Sequence, residues 1–294
     1  MTKVAFVGLG VMGYPMAGHL SKANFKVTVY NRTSSRAIAW QEEYAGTVAQ
    51  TPGEAASVAD IICMCVGNDD DVRSVVYGKE GILAGLKEGS LLIDHTTASP
   101  ELAQELASAA AEKQCGFLDA PVSGGQAGAE NAALTIMLGG DETSFARAKE
   151  VLDVYAKMAR LMGPPGNGQL TKAVNQICIA GVLQGLAEGL HFAEQAGLDI
   201  NAVVDVICKG AAQSWQMENR SETMAAGKFD YGFAVNWMRK DLGIALDTAD
   251  SVQASLPLTA LVDQFYADIQ RSGGGRWDTS SLIERLRWPG SVKL

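Results

Sequence analysis

The apolar run Val4-Ala5-Phe6-Val7 passes directly into Gly8-Leu9-Gly10-Val11-Met12-Gly13, and this junction constrains the fold more than any other feature of the chain. The run from Lys3 to Val7 reads as a buried parallel strand, and Val11 to Ser21 can continue as a helix. Gly8 then permits a tight turn, Gly10 lets a pyrophosphate approach the backbone, and Gly13 lets the helix pack closely on the strand. The helix N-terminus adds N–H groups and the positive end of its dipole to the phosphates. A glycine pattern alone is weak, but one placed between a strand and a helix predicts dinucleotide binding, with Leu9, Val11 and Met12 lining the cofactor turn.

The end of the next strand bears on which dinucleotide. Lys26-Val27-Thr28-Val29-Tyr30 leads into Asn31-Arg32-Thr33-Ser34-Ser35-Arg36. An NAD site usually places Asp or Glu here to accept from the ribose 2′-hydroxyl, and that carboxylate is missing. Arg32 can instead grip a 2′-phosphate bidentately, and Thr33 and Ser34 can donate to it, so the expectation is NADP, with NADPH preferred over NADH. The alternative is a polar turn that caps the following helix.

Strand-like runs at 3–7, 26–30, 60–66, 90–94, 116–119 and 134–138 alternate with helical patterns at 34–44, 52–58, 70–77, 100–113 and 141–156. Thr51-Pro52 and Ser99-Pro100 have the form of helix starts, with a capping hydroxyl before proline. Such alternation predicts an α/β, doubly wound, mainly parallel sheet. After Pro164-Pro165-Gly166-Asn167-Gly168 about ninety residues pass before Pro257, rich in Ala, Leu and Gln, and these read as helical. The expected organisation is therefore a Rossmann domain over 1–165 and an all-helical domain over 166–294 for substrate binding and oligomerisation. Its first helix is expected from about Gln169 to Ala196, with Gly181, Gly185 and Gly189 forming a smooth stripe that suggests close approach of another helix. Beyond Ser272, the segment from Trp277 to Trp288 reads as a less regular tail.

At 294 residues and 47% apolar content the chain can build two cores. A net charge of −9, with no basic stripe, argues against nucleic acid or an anionic membrane as partner. No apolar run approaches the roughly 20 residues of a membrane span, and the N-terminus lacks a signal-peptide pattern, so a cytoplasmic protein is expected. Cysteines 63, 65, 115, 178 and 208 have no metal-ligand spacing, and His19, His95 and His191 are scattered, so no metal is implied.

Two further segments carry chemistry. In Asp119-Ala120-Pro121-Val122-Ser123-Gly124-Gly125 a turn after a short strand exposes a hydroxyl and successive N–H groups, a cradle for a carboxylate, or else an ordinary loop. In Gly166-Asn167-Gly168-Gln169-Leu170-Thr171-Lys172-Ala173-Val174-Asn175-Gln176, Lys172 lies in the first turns of an apolar helix, with Asn175 and Gln176 at i+3 and i+4. It is either a solvated surface charge or, if partly buried, an amine whose lowered pKa suits acid/base work.

These segments together resemble the β-hydroxyacid dehydrogenase family, which includes 3-hydroxyisobutyrate dehydrogenases, tartronate semialdehyde reductases and glyoxylate/succinic semialdehyde reductases. The resemblance spans essentially the whole chain: Gly8–Gly13 is similar to the cofactor signature, Asp119–Gly125 to the substrate signature, Gly166-x-Gly168-x-x-x-Lys172 to the catalytic signature, and Lys240-Asp241-Leu242 to a later motif. It implies that Lys172 is the general acid/base and that Ser123, Gly124 and Gly125 hold a small carboxylate substrate. It further implies that Asn175 and Gln176 contact substrate, and that Asn31, Arg32, Thr33, Val66, Gly67, Thr97 and Lys240 contact the cofactor. A homodimer or homotetramer follows from the same resemblance. Gly67 stands where many relatives have proline, and Gln176 where many have asparagine. The Asn175-Gln176 pair resembles the tartronate semialdehyde reductase branch, which typically ends its second strand in an acidic residue that this chain lacks. Imine reductases share the architecture but usually lack the lysine, and a non-catalytic NADP(H)-binding regulator would not need it.

Overall fold

A computed structural model describes residues 2–287. Among the described residues, nine strands form one sheet: β1 (Lys3–Val7), β2 (Lys26–Tyr30), β3 (Thr47–Val48), β4 (Ile61–Met64), β5 (Leu91–Asp94), β6 (Gly116–Asp119), β7 (Val122–Ser123), β8 (Leu134–Gly140) and β9 (Ala156–Leu161). Between them run α1 (Gly13–Lys22), α2 (Ser34–Glu43), α3 (Pro52–Ser57), α4 (Asp69–Val76), α5 (Ile82–Gly85), α6 (Pro100–Glu112), α7 (Gly125–Glu130) and α8 (Glu142–Leu152). The later helices are α9 (Asn167–Gln195), α10 (Ile200–Ile207), α11 (Trp215–Ala225), α12 (Val235–Val252), α13 (Pro257–Arg271) and α14 (Leu282–Arg287).

The strand order is β3-β2-β1-β4-β5-β6-β8-β7, with β9 beside β8. Strands β1 to β6 pair in parallel, β8 runs antiparallel to both β6 and β7, and β9 is parallel to β8. The order reverses between β1 and β4, where the crevice beyond the strand carboxyl ends receives ligands in doubly wound sheets. Alternation along β1 explains its unbroken apolar run. Val4 and Phe6 join one core with Val29, Trp40 and Tyr155, while Ala5 and Val7 join the core on the other face with Ile62, Met64 and Leu102. Thr51 and Ser99 cap α3 and α6 as the sequence predicts, accepting from the N–H groups of Glu54 at 3.0 Å and Leu102 at 3.1 Å.

Several expectations need correction. Helix α1 starts at Gly13 rather than Val11, because residues 11 and 12 are used in the turn. Helix α8 stops at Leu152, and the chain returns as β9, which the sequence reading missed. Lys157, Met158 and Arg160 on β9 are exposed, so this outer strand lacks the apolar run that marks the buried ones. The tail after Ser272 is more regular than expected, forming two short 3-10 turns and α14; Trp288 lies outside the described residues.

The chain divides into two compact units, residues 1–172 and 173–294. The division falls inside α9, later than the proline-glycine cluster, because the first turn of α9 is bonded to β6 and to the segment after β5. The second unit has its own core, which includes Leu183, Leu186, Leu190, Met238, Leu242 and Tyr266. Among the described residues, close helix packing along the glycine stripe of α9 is found at Gly181. A Cβ on Gly181 would lie 3.2 Å from Leu258, whereas Gly185 and Gly189 face open space. Val174, Val182 and Phe192 on the same helix are exposed, Phe192 to 71%.

Candidate active site

The first unit carries the cofactor turn, the Ser-Gly-Gly loop and Lys172. Gly8 takes φ +95°, and a Cβ there would lie 2.3 Å from the carbonyl oxygen of Cys65; one on Gly13 would lie 2.0 Å from that of Gly8. At Gly10, by contrast, nothing lies within 4 Å of a Cβ position. Two enclosed glycines thus flank an open one, and that gap in the backbone fits a pyrophosphate at the start of α1. The turn is held from the β2 side. The Leu9 N–H donates to Oδ1 of Asn31 at 2.8 Å, the Asn31 amide donates to the Thr33 carbonyl at 3.0 Å, and Arg36 Nη1 donates to the Leu9 carbonyl at 2.9 Å. Asn31 is thereby a strut of the turn, a role its position alone does not disclose.

Arg32 is exposed and pairs with Asp71 of α4, Nη1 to Oδ1 at 3.0 Å. Asp71 is in turn ordered by the Asn68 cap, whose Oδ1 accepts the Asp71 N–H at 2.9 Å. Thr33 is the N-cap residue of α2, without a side-chain cap bond. A basic group therefore stands at the end of β2, with Arg36 one helical turn beyond it.

The loops after β4 and β5 are tied together. The Val66 N–H, next to Gly67, donates to the Thr96 hydroxyl at 3.0 Å, and the Thr96 N–H donates to Oδ1 of Asp94 at 2.8 Å. Burial pushes Asp94 up to about 7. His95 is fully enclosed, with Nδ1 at 2.8 Å from the Ala120 carbonyl and Nε2 at 2.9 Å from the Tyr155 hydroxyl. The carbonyl can only accept, so the proton sits on Nδ1 and Tyr155 donates to Nε2. Burial pulls His95 down to about 4, which keeps the ring neutral and makes it a structural pin. Thr97, half-buried, follows directly.

Strand β6 ends in Asp119, which accepts from the N–H groups of Gly166 at 2.8 Å and Gln169 at 2.9 Å at the start of α9. Burial holds this carboxyl above its usual range, against the pull of those two N–H groups. Beyond Ala120, Ser123 lies half-buried on β7, while Gly124 and Gly125 are exposed with φ of +127° and +59°. Lys172, a few residues beyond the Gln169 anchor, is only 6% exposed. It is not the solvated surface charge that the sequence left open.

In the second unit, Gln176 donates through Nε2 to Oδ2 of Asp241 at 2.6 Å, and its Oε1 accepts from Asn175 Nδ2 at 2.8 Å. Lys240 Nζ lies 3.0 Å from Oδ1 of Asp241 and 5.9 Å from the Trp237 ring centroid. The sequence reading named Gln176 and Lys240 but missed Asp241, the carboxylate that joins them. It also missed Gln169, Arg36 and Asp71 as partners of the named residues. Only Asp241 had a visible signal, its place in Lys240-Asp241-Leu242.

Residues 3–163 match the family model described as the NAD binding domain of 6-phosphogluconate dehydrogenase, and residues 166–286 match that described as NAD-binding of NADP-dependent 3-hydroxyisobutyrate dehydrogenase. The chain belongs to the β-hydroxyacid dehydrogenase family. It is accordingly an NAD(P)-dependent oxidoreductase. Among relatives of the family, an uncharacterized oxidoreductase of Shewanella frigidimarina is 61% identical over 97% of this chain and 98% of its own length. A probable mitochondrial 3-hydroxyisobutyrate dehydrogenase-like protein of Arabidopsis thaliana is 42% identical over 100% of this chain and 87% of its own. The Mycobacterium tuberculosis 3-hydroxyisobutyrate dehydrogenase, solved with L-serine, superposes with a TM-score of 0.88 at 32% identity, covering 98% of this chain and 100% of that one. Among the described residues, no helix is long and apolar enough to cross a membrane.

Proposed function

We propose that this dehydrogenase uses NADP to interconvert a small 3-hydroxy acid of the 3-hydroxyisobutyrate type and its semialdehyde, with Lys172 as general acid/base. The observation that carries this reading is the burial of Lys172, a few residues beyond a helix start that is bonded to β6 and to the backbone on both sides of Thr97. A buried amine near the carboxyl ends of the strands of a dinucleotide-binding sheet is a candidate functional group.

Bound at Gly8–Gly13, a nicotinamide cofactor supplies hydride exchange with the substrate carbon. The protein's part is binding, orientation and proton transfer. The N–H groups of Gly124 and Gly125 and the Ser123 hydroxyl would hold the substrate carboxylate. Asn175 and Gln176 would make further substrate contacts. In reduction the Lys172 ammonium gives its proton to the developing alkoxide, and in oxidation the neutral amine takes the hydroxyl proton. Val66, Gly67, Thr97 and Lys240 would contact the cofactor. NADP over NAD is supported by the end of β2, where Arg32 stands and the strand itself ends in no carboxylate, although Asp71 of α4 pairs with that guanidinium; Asn31 and Thr33 complete the turn. We further infer a cytoplasmic homo-oligomer whose main contacts lie in residues 166–294.

A second reading, tartronate semialdehyde reductase, is favoured by the Asn175-Gln176 pair, and glyoxylate or succinic semialdehyde is a further candidate substrate. Following NADPH oxidation against methylmalonic, tartronic and succinic semialdehydes and glyoxylate tests the proposal. The largest kcat/KM is expected with methylmalonate semialdehyde, and inactivity toward the whole panel would contradict the assignment.

A further inference from the structure

Asp119 and Gln169 form a buried clamp that reaches in two directions. Asp119, at the end of β6, gives one carboxylate oxygen to the Gly166 N–H at 2.8 Å and the other to the Gln169 N–H at 2.9 Å. First-turn N–H groups of a helix have no intrahelical acceptor, so the group that accepts them fixes where the helix begins and how it is rotated. The seat is tight. A Cβ on Gly139 would stand 2.3 Å from one carboxylate oxygen, and a Cβ on Gly168 would stand 2.6 Å from the other. The Gln169 side chain, 2% exposed, reaches away from β6: its Oε1 accepts the Ala98 N–H at 3.1 Å, and its Nε2 donates to the Thr96 carbonyl at 2.8 Å. One amide therefore grips the backbone on both sides of Thr97. Gln169 and Lys172 are three positions apart on the buried side of α9, so whatever fixes Gln169 fixes Lys172.

We propose that Asp119 and Gln169 are positioning residues for Lys172, Asp119 setting the depth and rotation of the first turn of α9 and Gln169 locking that turn to the Thr96-Thr97-Ala98 backbone. The inference rests on the reading of Lys172 as acid/base. Proton transfer demands close geometry, and a displacement of about 1 Å can cost about 10²-fold in rate.

The test is a pair of double-mutant cycles with the best semialdehyde of the panel. Gln169→Leu keeps much of the side-chain volume and removes both bonds. It is expected to lower kcat about 10²-fold while the KM for NADPH is nearly unchanged. In a Lys172→Ala background it should lower the residual turnover no further, because a residue that acts through the amine has no effect once the amine is gone. Asp119→Asn, which turns one acceptor into a donor facing an N–H, should behave likewise and serves alone if Gln169→Leu fails to fold. In cofactor-free protein, acetic anhydride followed by mass spectrometry should acetylate Lys172 faster in the variants than in wild type, with exposed Lys3 and Lys149 as internal standards. Equal losses with and without Lys172, or wild-type turnover with unchanged labelling, would overturn the positioning role. Lys172→Ala alone separates the two claims. If it keeps full turnover, both fall; if it loses turnover while Gln169→Leu and Asp119→Asn do not, only the clamp falls.

Discussion

The side-chain amide of Gln176 is committed to Asp241, 2.6 Å from its carboxylate, and Asp241 carries Lys240 on its other oxygen at 3.0 Å. At 3% exposure, Asp241 cannot replace these partners with water. Gln176 is thus an oriented group, held through one end and linked to Asn175 at the other, with no proton to transfer. Gln176→Ala should therefore lower kcat less than Lys172→Ala, and equal losses in steady-state kinetics would contradict this. Asp241→Ala removes the buried carboxylate that Gln176 and Lys240 share, a loss of about 3 kcal/mol if the pair behaves as buried, and the melting temperature should fall by about 6–12 °C.

The proposed preference for NADP is tested at Arg32. In a site that uses NADP, Arg32→Ala removes a phosphate contact that NADH never makes, so NADPH affinity should fall about tenfold while NADH affinity holds. Asp71 holds the same guanidinium at 3.0 Å and would compete with, and repel, a 2′-phosphate placed there. Asp71→Ala should accordingly tighten NADPH by about two- to fivefold, the scale of an exposed ion pair, and leave NADH unchanged. Fluorescence titration with both cofactors checks each variant, and parallel changes for NADPH and NADH would remove the NADP assignment.

Two buried groups set opposite pH slopes. Asp94, raised to about 7 by burial, has a folded value above its unfolded one of about 4, so its stability contribution is complete below pH ~4 and is lost as pH rises through about 7. His95, lowered to about 4, behaves in reverse, with a contribution complete above about 6.5 and lost as pH falls toward 4. Between those limits the two oppose each other, and above about 6.5 only the Asp94 loss continues. Asn at position 94 can still accept the Thr96 N–H. Asp94→Asn should therefore abolish the decline in melting temperature between pH 6.5 and 8 and uncover a rise between pH 4.5 and 6.5. A decline above pH 6.5 as steep as that of wild type would contradict the Asp94 assignment.

Assembly is tested by light scattering at micromolar concentration, where a dimer or tetramer is expected. A monomer would contradict the homo-oligomer, and an oligomer untouched by Phe192→Glu would show that exposed Phe192 of α9 lies outside the contact.

How much was legible follows from what leaves a local mark. Strands β1, β4 and β5 are buried on both faces and stand out as unbroken apolar runs, whereas β9 mixes exposed Lys157, Met158 and Arg160 with half-buried residues and passes for the end of a helix. Thr51 and Ser99 announce their helices because a cap acts within three residues. Gly8 and Gly13 are legible for the same reason: their neighbours in space are near in sequence or fixed by the strand order. Gln169 and Asp241 are not, since the bonds that define them join residues 71 and 65 positions apart, and no spacing rule encodes such a pair. The glycine stripe on α9 marks a face open to close packing without naming the partner: within the chain's described residues it meets Leu258 at Gly181, and Gly185 and Gly189 meet nothing.

Lys172, buried at the start of α9, is the group proposed to transfer the proton. Steady-state turnover of Lys172→Ala across the pH range tests it most directly, with NADPH binding measured alongside by fluorescence. In this variant kcat is expected to fall by ~10²–10⁴, the lysine's limb of the pH profile to disappear, and NADPH affinity to stay nearly intact. A variant that keeps near-full turnover with an unchanged pH profile would contradict it.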